Sequence, residues 1–215
     1  MIDKMNVIKE LFSKHGSSAP MGFGVASGHN RRPILFNTGE GLSDAVCVLH
    51  GQNIDKVEAQ VKGIYLDTPC TCTSCKSAEV PFVVFRPQNM PLSLDFSSNT
   101  AKIFMVDLEA DVSEYSALAA LPIEAIMLSN DDRLTWAALF QVKRFCSLGK
   151  PLIVQVPDSV LLPELQKLYK FGAAAFMVKG DSSDLYQEII STKWQIAPDK
   201  KEPLIGTPFI NCDNE

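Results

Sequence analysis

Residues 101–106 (AKIFMV), 123–128 (IEAIML), 151–156 (PLIVQV) and 173–178 (AAAFMV) decide how this chain folds. Each run is too short for an independent helix. Near-continuous apolarity over that length suits a strand covered on both faces, as parallel strands are. Between the runs the pattern turns helical. In 134–148 the apolar residues Ala138, Val142, Phe145 and Cys146 share one face, and Gly149 marks a stop. In the next segment Leu161, Leu165, Leu168 and Tyr169 align, with Asp158 or Ser159 as the cap and Gly172 as the stop. Pro163 must then fall in the first turn, where its missing N–H is tolerated. A last helix begins after Asp181-Ser182-Ser183 and turns Leu185, Ile189 and Ile190 inward. Strand–helix units in succession favour a parallel sheet with right-handed crossovers.

Upstream the pattern continues less regularly. Apolar runs of strand length lie at 33–36 (PILF), 45–49 (AVCVL), 63–66 (GIYL) and 81–85 (PFVVF), with a helix expected over 53–61 and a short apolar helix or turn at 117–121. That makes eight strand candidates. Eight strands with intervening helices is the (β/α)8 count, although 215 residues is compact for that fold and the 37–44 loop has no room for a helix. The architecture resembles a compact or degenerate TIM barrel of the aldolase or phosphate-binding type, a resemblance of fold alone spanning 33–193. The alternative is an open doubly wound parallel sheet. A receiver domain, one version of that sheet, fits poorly: no acidic pair precedes Asp107, Gly180 rather than Pro follows Lys179, and an extra unit separates Ser129 from Lys179. The expected organisation is a helical, glycine-containing lead-in over 1–32, the barrel-like domain over 33–195 and an extended tail over 196–215.

Composition narrows the function classes. The chain is 46% apolar and 21% charged, with a formal net charge of −5 and a pI near 5.3. A mildly acidic protein without clustered Lys and Arg is not built for non-specific nucleic-acid binding. No run reaches the roughly 18 apolar residues of a membrane span, and residues 1–15 read as an amphipathic helix rather than a secretory signal, so the expected location is the cytoplasm. Homo-oligomers are compatible with all of this.

In barrels and open parallel sheets alike, the carboxyl ends of the strands line the site. Here those ends carry Asn37, His50, Asp67, Arg86, Asp107 with Glu109, Asn130 with Asp131, Gln155 and Lys179. Strands also end wherever a chain meets water, so polar residues belong there in any case. Lys179 follows an apolar strand, where a partly desolvated lysine can act as a Schiff-base nucleophile, the chemistry of a lyase, or anchor an anion. Gly180 and Ser182 then open a helix toward a phosphate, although Asp181 opposes one. Asp107 and His50 are the acid/base candidates, and Arg86, Asn130 and Gln155 the substrate-binding ones. Asp107, Glu109 and Asp111 need a cation among them, and an ion pair with Arg86 answers that need better than a metal does. Cys70, Cys72 and Cys75 could hold zinc or an iron–sulfur cluster, with His50 or Cys212 as the fourth ligand; plain loop thiols are the simpler reading. The expected ligand is a small anionic metabolite, a phosphorylated one among the candidates. A non-catalytic α/β scaffold or subunit-association protein is the alternative, since the chain holds no complete catalytic motif.

Overall fold

The structure, a computed structural model, describes residues 7–15, 32–38, 46–50, 61–66, 80–89, 99–130, 133–178 and 183–194. Eight strands lie within them: β1 (Ile34–Asn37), β2 (Val46–His50), β3 (Val61–Leu66), β4 (Phe82–Phe85), β5 (Ala101–Asp107), β6 (Ala125–Ser129), β7 (Leu152–Gln155) and β8 (Ala173–Val178). They pair in parallel, each with the next in the chain. The last pairs with the first: Ile34 lies opposite Ala175 and Asn37 opposite Val178, and the Thr38 N–H donates to the Val178 carbonyl at 3.3 Å. The sheet is therefore a closed barrel and not an open doubly wound sheet, so the chain is a TIM-barrel-like α/β protein.

Side chains alternate between lumen and outer wall along each strand. The lumen is filled by Ile34 and Phe36, Phe82 and Val84, Ile103 and Met105, Met127, Ile153, and Ala175 with Met177. Phe36 and Phe82 meet edge to face at 5.9 Å. Gly63 makes room for Phe82, since a Cβ at that position would collide with its ring. A barrel this small is a packed core, not a pore.

One end of the lumen is closed by α1 (Val7–His15). Its Ile8 and Phe12 are 0% and 7% exposed and belong to the luminal cluster. Lys9 of α1 lies 3.9 Å from Glu124, which immediately precedes β6, so the helix sits at the amino ends of the strands. The other Glu124 oxygen accepts from the Lys102 N–H at 2.7 Å. The expected amphipathic helix thus packs its apolar face into the luminal cluster.

On the outer wall, Ile126, Leu128, Leu152, Val154, Phe176 and Val178 pack beneath α2 (Trp136–Cys146), α3 (Leu162–Phe171) and α4 (Ser183–Ser191). The helices contribute Val142, Phe145, Leu165, Leu168 and Ile189. Trp194 closes this layer, donating from its indole to the Ile189 carbonyl at 2.8 Å and lying edge-on to Tyr169. Thr135 caps α2, its hydroxyl accepting from the Ala138 N–H at 3.3 Å. Gly172 ends α3 at φ 117° in the left-handed region, directly against the Cys146 sulfur.

Several local expectations are corrected. The α3 cap is Leu161, not Asp158 or Ser159; those two residues are used in a turn closed by the Val160 N–H on the Pro157 carbonyl. A leucine has no capping oxygen, and the Glu164 carboxylate reaches back to the Leu161 N–H at 2.9 Å instead. The short helix or turn expected at 117–121 is present but begins earlier, as a 3-10 helix, Val112–Ala119, started by Asp111 accepting from the Ser113 N–H at 3.0 Å. Val61, expected at a helix end, is the first residue of β3. Cys146, on the apolar face of α2, is partly buried against the core. The helix expected over 53–60, the 39–44 loop and the tail from 196 lie outside the described residues.

Candidate functional site

The alternation that fills the lumen carries on to the carboxyl ends of the strands. Continuing the inward positions 82 and 84 of β4 reaches Arg86; 103 and 105 of β5 reach Asp107; 125 and 127 of β6 reach Ser129; and 153 of β7 reaches Gln155. On β3 the same alternation places Tyr65 against the luminal cluster. Apolar layers thus give way to a polar crown over five consecutive strands, where the TIM-barrel fold puts its sites.

Arg86 is the hub of that crown. Its Nη1 donates to Asp107 Oδ1 at 2.7 Å, and its Nη2 makes a long 3.5 Å contact with the Ser129 hydroxyl. Donation to Asp107 raises the guanidinium pKa above its ordinary value; burial opposes the rise and a hydrogen bond to Tyr65 adds to it. Arg86 therefore stays charged at every working pH. The Tyr65 hydroxyl also donates to the Met105 sulfur at 3.2 Å, tying the crown to the layer beneath. The Arg86 side chain is 30% exposed and that of Asp107 65%. Gln155, 4% exposed, donates to the Asn130 carbonyl at 3.4 Å and braces the loop after β6.

The acidic DLEAD stretch is resolved by two arginines. Asp107 pairs with Arg86, as the sequence suggested, while Asp111 pairs with Arg144 of α2 at 3.2 Å. Among the described residues no three His, Cys, Asp or Glu side chains converge to hold a metal. Lys179, Gly180 and Ser182, and the cysteines Cys70, Cys72 and Cys75, lie outside the described residues. His50 is the last residue of β2 and the register partner of Tyr65.

Tyr65 and Ser129 are site residues that the strand-end reading does not include. Each continues the two-residue alternation of its own strand, whereas taking the polar residue just past each strand points to Asp67 and Asn130 instead.

A second surface feature lies outside the crown. A cavity of about 170 Å³ opens between α2 and α3, lined by Leu134, Trp136, Leu139, Glu164, Lys167 and Leu168 among others. Trp136 and Phe140 are 65% and 61% exposed, and the Lys167 ammonium lies 5.8 Å from the Trp136 ring centre. The apolar residues Trp136 and Phe140 therefore face outward rather than into the core. No described helix is long and apolar enough to cross a membrane.

No family model matches the chain, and no curated protein matches its sequence. A solved structure of FabK from Thermotoga maritima is similar in fold, with 12% sequence identity and a TM-score of 0.48. The match covers 69% of this chain and 58% of that one.

Proposed function

We propose that this chain binds a small anionic metabolite at the carboxyl-end mouth of its barrel, with Arg86 as the anchor. One observation carries the reading: Arg86 is fixed by partners on two neighbouring strands yet keeps 30% of its side chain open to solvent. A guanidinium has five N–H donors, more than these partners use, and it loses little freedom on binding because it is already oriented. The packed lumen supports a ligand seated on top of the barrel rather than inside it. Titration calorimetry of the purified chain against phosphorylated and carboxylated metabolites tests the reading. Saturable binding that disappears in Arg86→Ala supports it; wild-type protein that binds none of them ends it. Lys179, which directly follows β8, would add Schiff-base chemistry to the same mouth. Borohydride trapping of a carbonyl compound, lost in Lys179→Ala, is the test of that step.

A second reading, association with a second copy of this chain, has its own observation in the exposed Trp136 and Phe140. Glu164 and Lys167 flank the same cavity, and a two-fold axis there would set each opposite its complement. Sedimentation of wild type against Trp136→Ser/Phe140→Ser decides it: a dimer that dissociates supports the reading, and a wild-type monomer excludes it.

A further inference from the structure

We infer that the mouth selects ligands bearing a hydrogen-bond donor beside their anion, α-amino acids or α-hydroxy acids, over plain anions. This rests on the reading of the mouth as an anion site and narrows its ligand class. The reason is the company Arg86 keeps. Its Nη1 is already 2.7 Å from Asp107 Oδ1, so an anion that reaches the guanidinium also approaches a carboxylate. A bare phosphate or simple carboxylate meets attraction and repulsion together, and much of its gain cancels. A ligand whose anion is flanked by an ammonium or hydroxyl turns that repulsion into a second bond. Its anion takes guanidinium N–H groups while its donor is accepted by Asp107.

The geometry supports both halves. The Asp107 side chain is 65% exposed, and a carboxylate has about four lone-pair sites, of which Arg86 occupies one. Beneath the pair, Met105, Met127 and Ile153 fill the lumen, so the rest of the ligand must project outward. The recognised part is thus only the anion and its neighbouring donor. Ser129, at 3.5 Å, and Tyr65 are the guanidinium's further neighbours in the crown.

The test uses four small probes on the full chain, followed by nuclear magnetic resonance titration: alanine, lactate, propionate and inorganic phosphate. Wild type is expected to bind alanine or lactate at least about tenfold more tightly than propionate or phosphate. An alanine preference identifies the donor as an ammonium, and a lactate preference as a hydroxyl. Asp107→Asn should shrink that gap to about threefold or less by strengthening the plain anions and weakening the donor-bearing ones. Arg86→Gln should abolish binding of all four, with unchanged melting behaviour showing that the fold is intact. Propionate or phosphate binding as tightly as alanine and lactate would overturn the inference while leaving an anion site in place. So would Asp107→Asn with wild-type selectivity. Failure of all four probes to bind would remove the anion site itself and the inference with it.

Discussion

The two ends of this barrel are built from opposite chemistry. At the amino end, Ile8 and Phe12 of α1 press into the lumen against Ile34 and Ala101, and the polar groups nearby answer one another locally, as Glu124 answers the Lys102 N–H. At the carboxyl end the same alternation of side chains delivers Tyr65, Arg86, Asp107, Ser129 and Gln155 to a partly open surface. Burial and closure dominate the first end; charge and partial exposure dominate the second. In a barrel that division separates stability from function, because strand direction puts the loops that can vary on one side only. A substitution at the amino end should therefore change how well the chain folds, and one at the carboxyl end what it binds.

The largest expected effect lies at the plug. Phe12→Ala removes a ring that is 7% exposed and caps the lumen, and should cost about 3–5 kcal/mol. Against a total stability of roughly 5–15 kcal/mol for a domain, that is enough to lower the denaturation midpoint severely. Urea unfolding measures it. A loss below about 1 kcal/mol would mean that α1 is an ornament on the barrel rather than its floor.

Gly63→Ala comes next and probes the lumen between the two ends. The new methyl would collide with the Phe82 ring, which is itself fully buried and braced by Phe36. Overpacking of that kind costs about 1–3 kcal/mol. Phe82→Leu in the same chain should return part of the loss, because the two side chains compete for one volume, and a double-mutant cycle reads that coupling directly. Strict additivity would show that the lumen can relax around the methyl.

Arg86→Ala should behave the other way at the mouth. The pair with Asp107 is substantially exposed, so its contribution to folding is expected at about 1 kcal/mol or less after screening. Its contribution to anion binding should be at least about tenfold, since truncation leaves the anion with no guanidinium. Thermal melting and calorimetry on one preparation give both numbers. A large loss of stability with no change in binding would erase the contrast between the ends.

The sequence made the contrast partly visible. Eight apolar runs could be counted, which matched the strand number of a barrel, but an open doubly wound sheet remained the alternative because both architectures use parallel strands buried on both faces. Arg86 and Asp107 could be paired because three acids in five residues require a cation. What stayed hidden has physical causes. The hydrogen bond from β1 to β8 spans almost the whole described chain, and no local pattern encodes so distant a pairing. The α3 cap was missed because its residue, Leu161, carries no capping oxygen, and the start is held instead by Glu164, inside the helix, accepting from the Leu161 N–H. Tyr65 was overlooked because an aromatic in an apolar run reads as core, and only the closed lumen shows its hydroxyl meeting Met105 and Arg86.

The smallest expected effect separates the crown from its surroundings. Asp111, four residues past Asp107, belongs to neither end: it starts the 3-10 helix and pairs with Arg144 on the outer wall. The Ser113 N–H, the Ser113 side chain and then Arg144 hold its carboxyl below the usual carboxylate range. A depressed acid stabilises the fold above its unfolded pKa, near 3.9, and loses that contribution as pH falls through its lower folded value. The melting temperature of Asp111→Ala should therefore lie slightly below wild type at pH 7, and the two should converge as the pH drops below about 4. Added salt should narrow the part due to Arg144 but spare the part due to the backbone N–H, because only the former is an exposed ion pair. Ligand binding at the mouth should be unaffected throughout. If Asp111→Ala instead weakened binding as Arg86→Ala does, the functional surface would have to extend beyond the crown and down the outer wall along the DLEAD stretch.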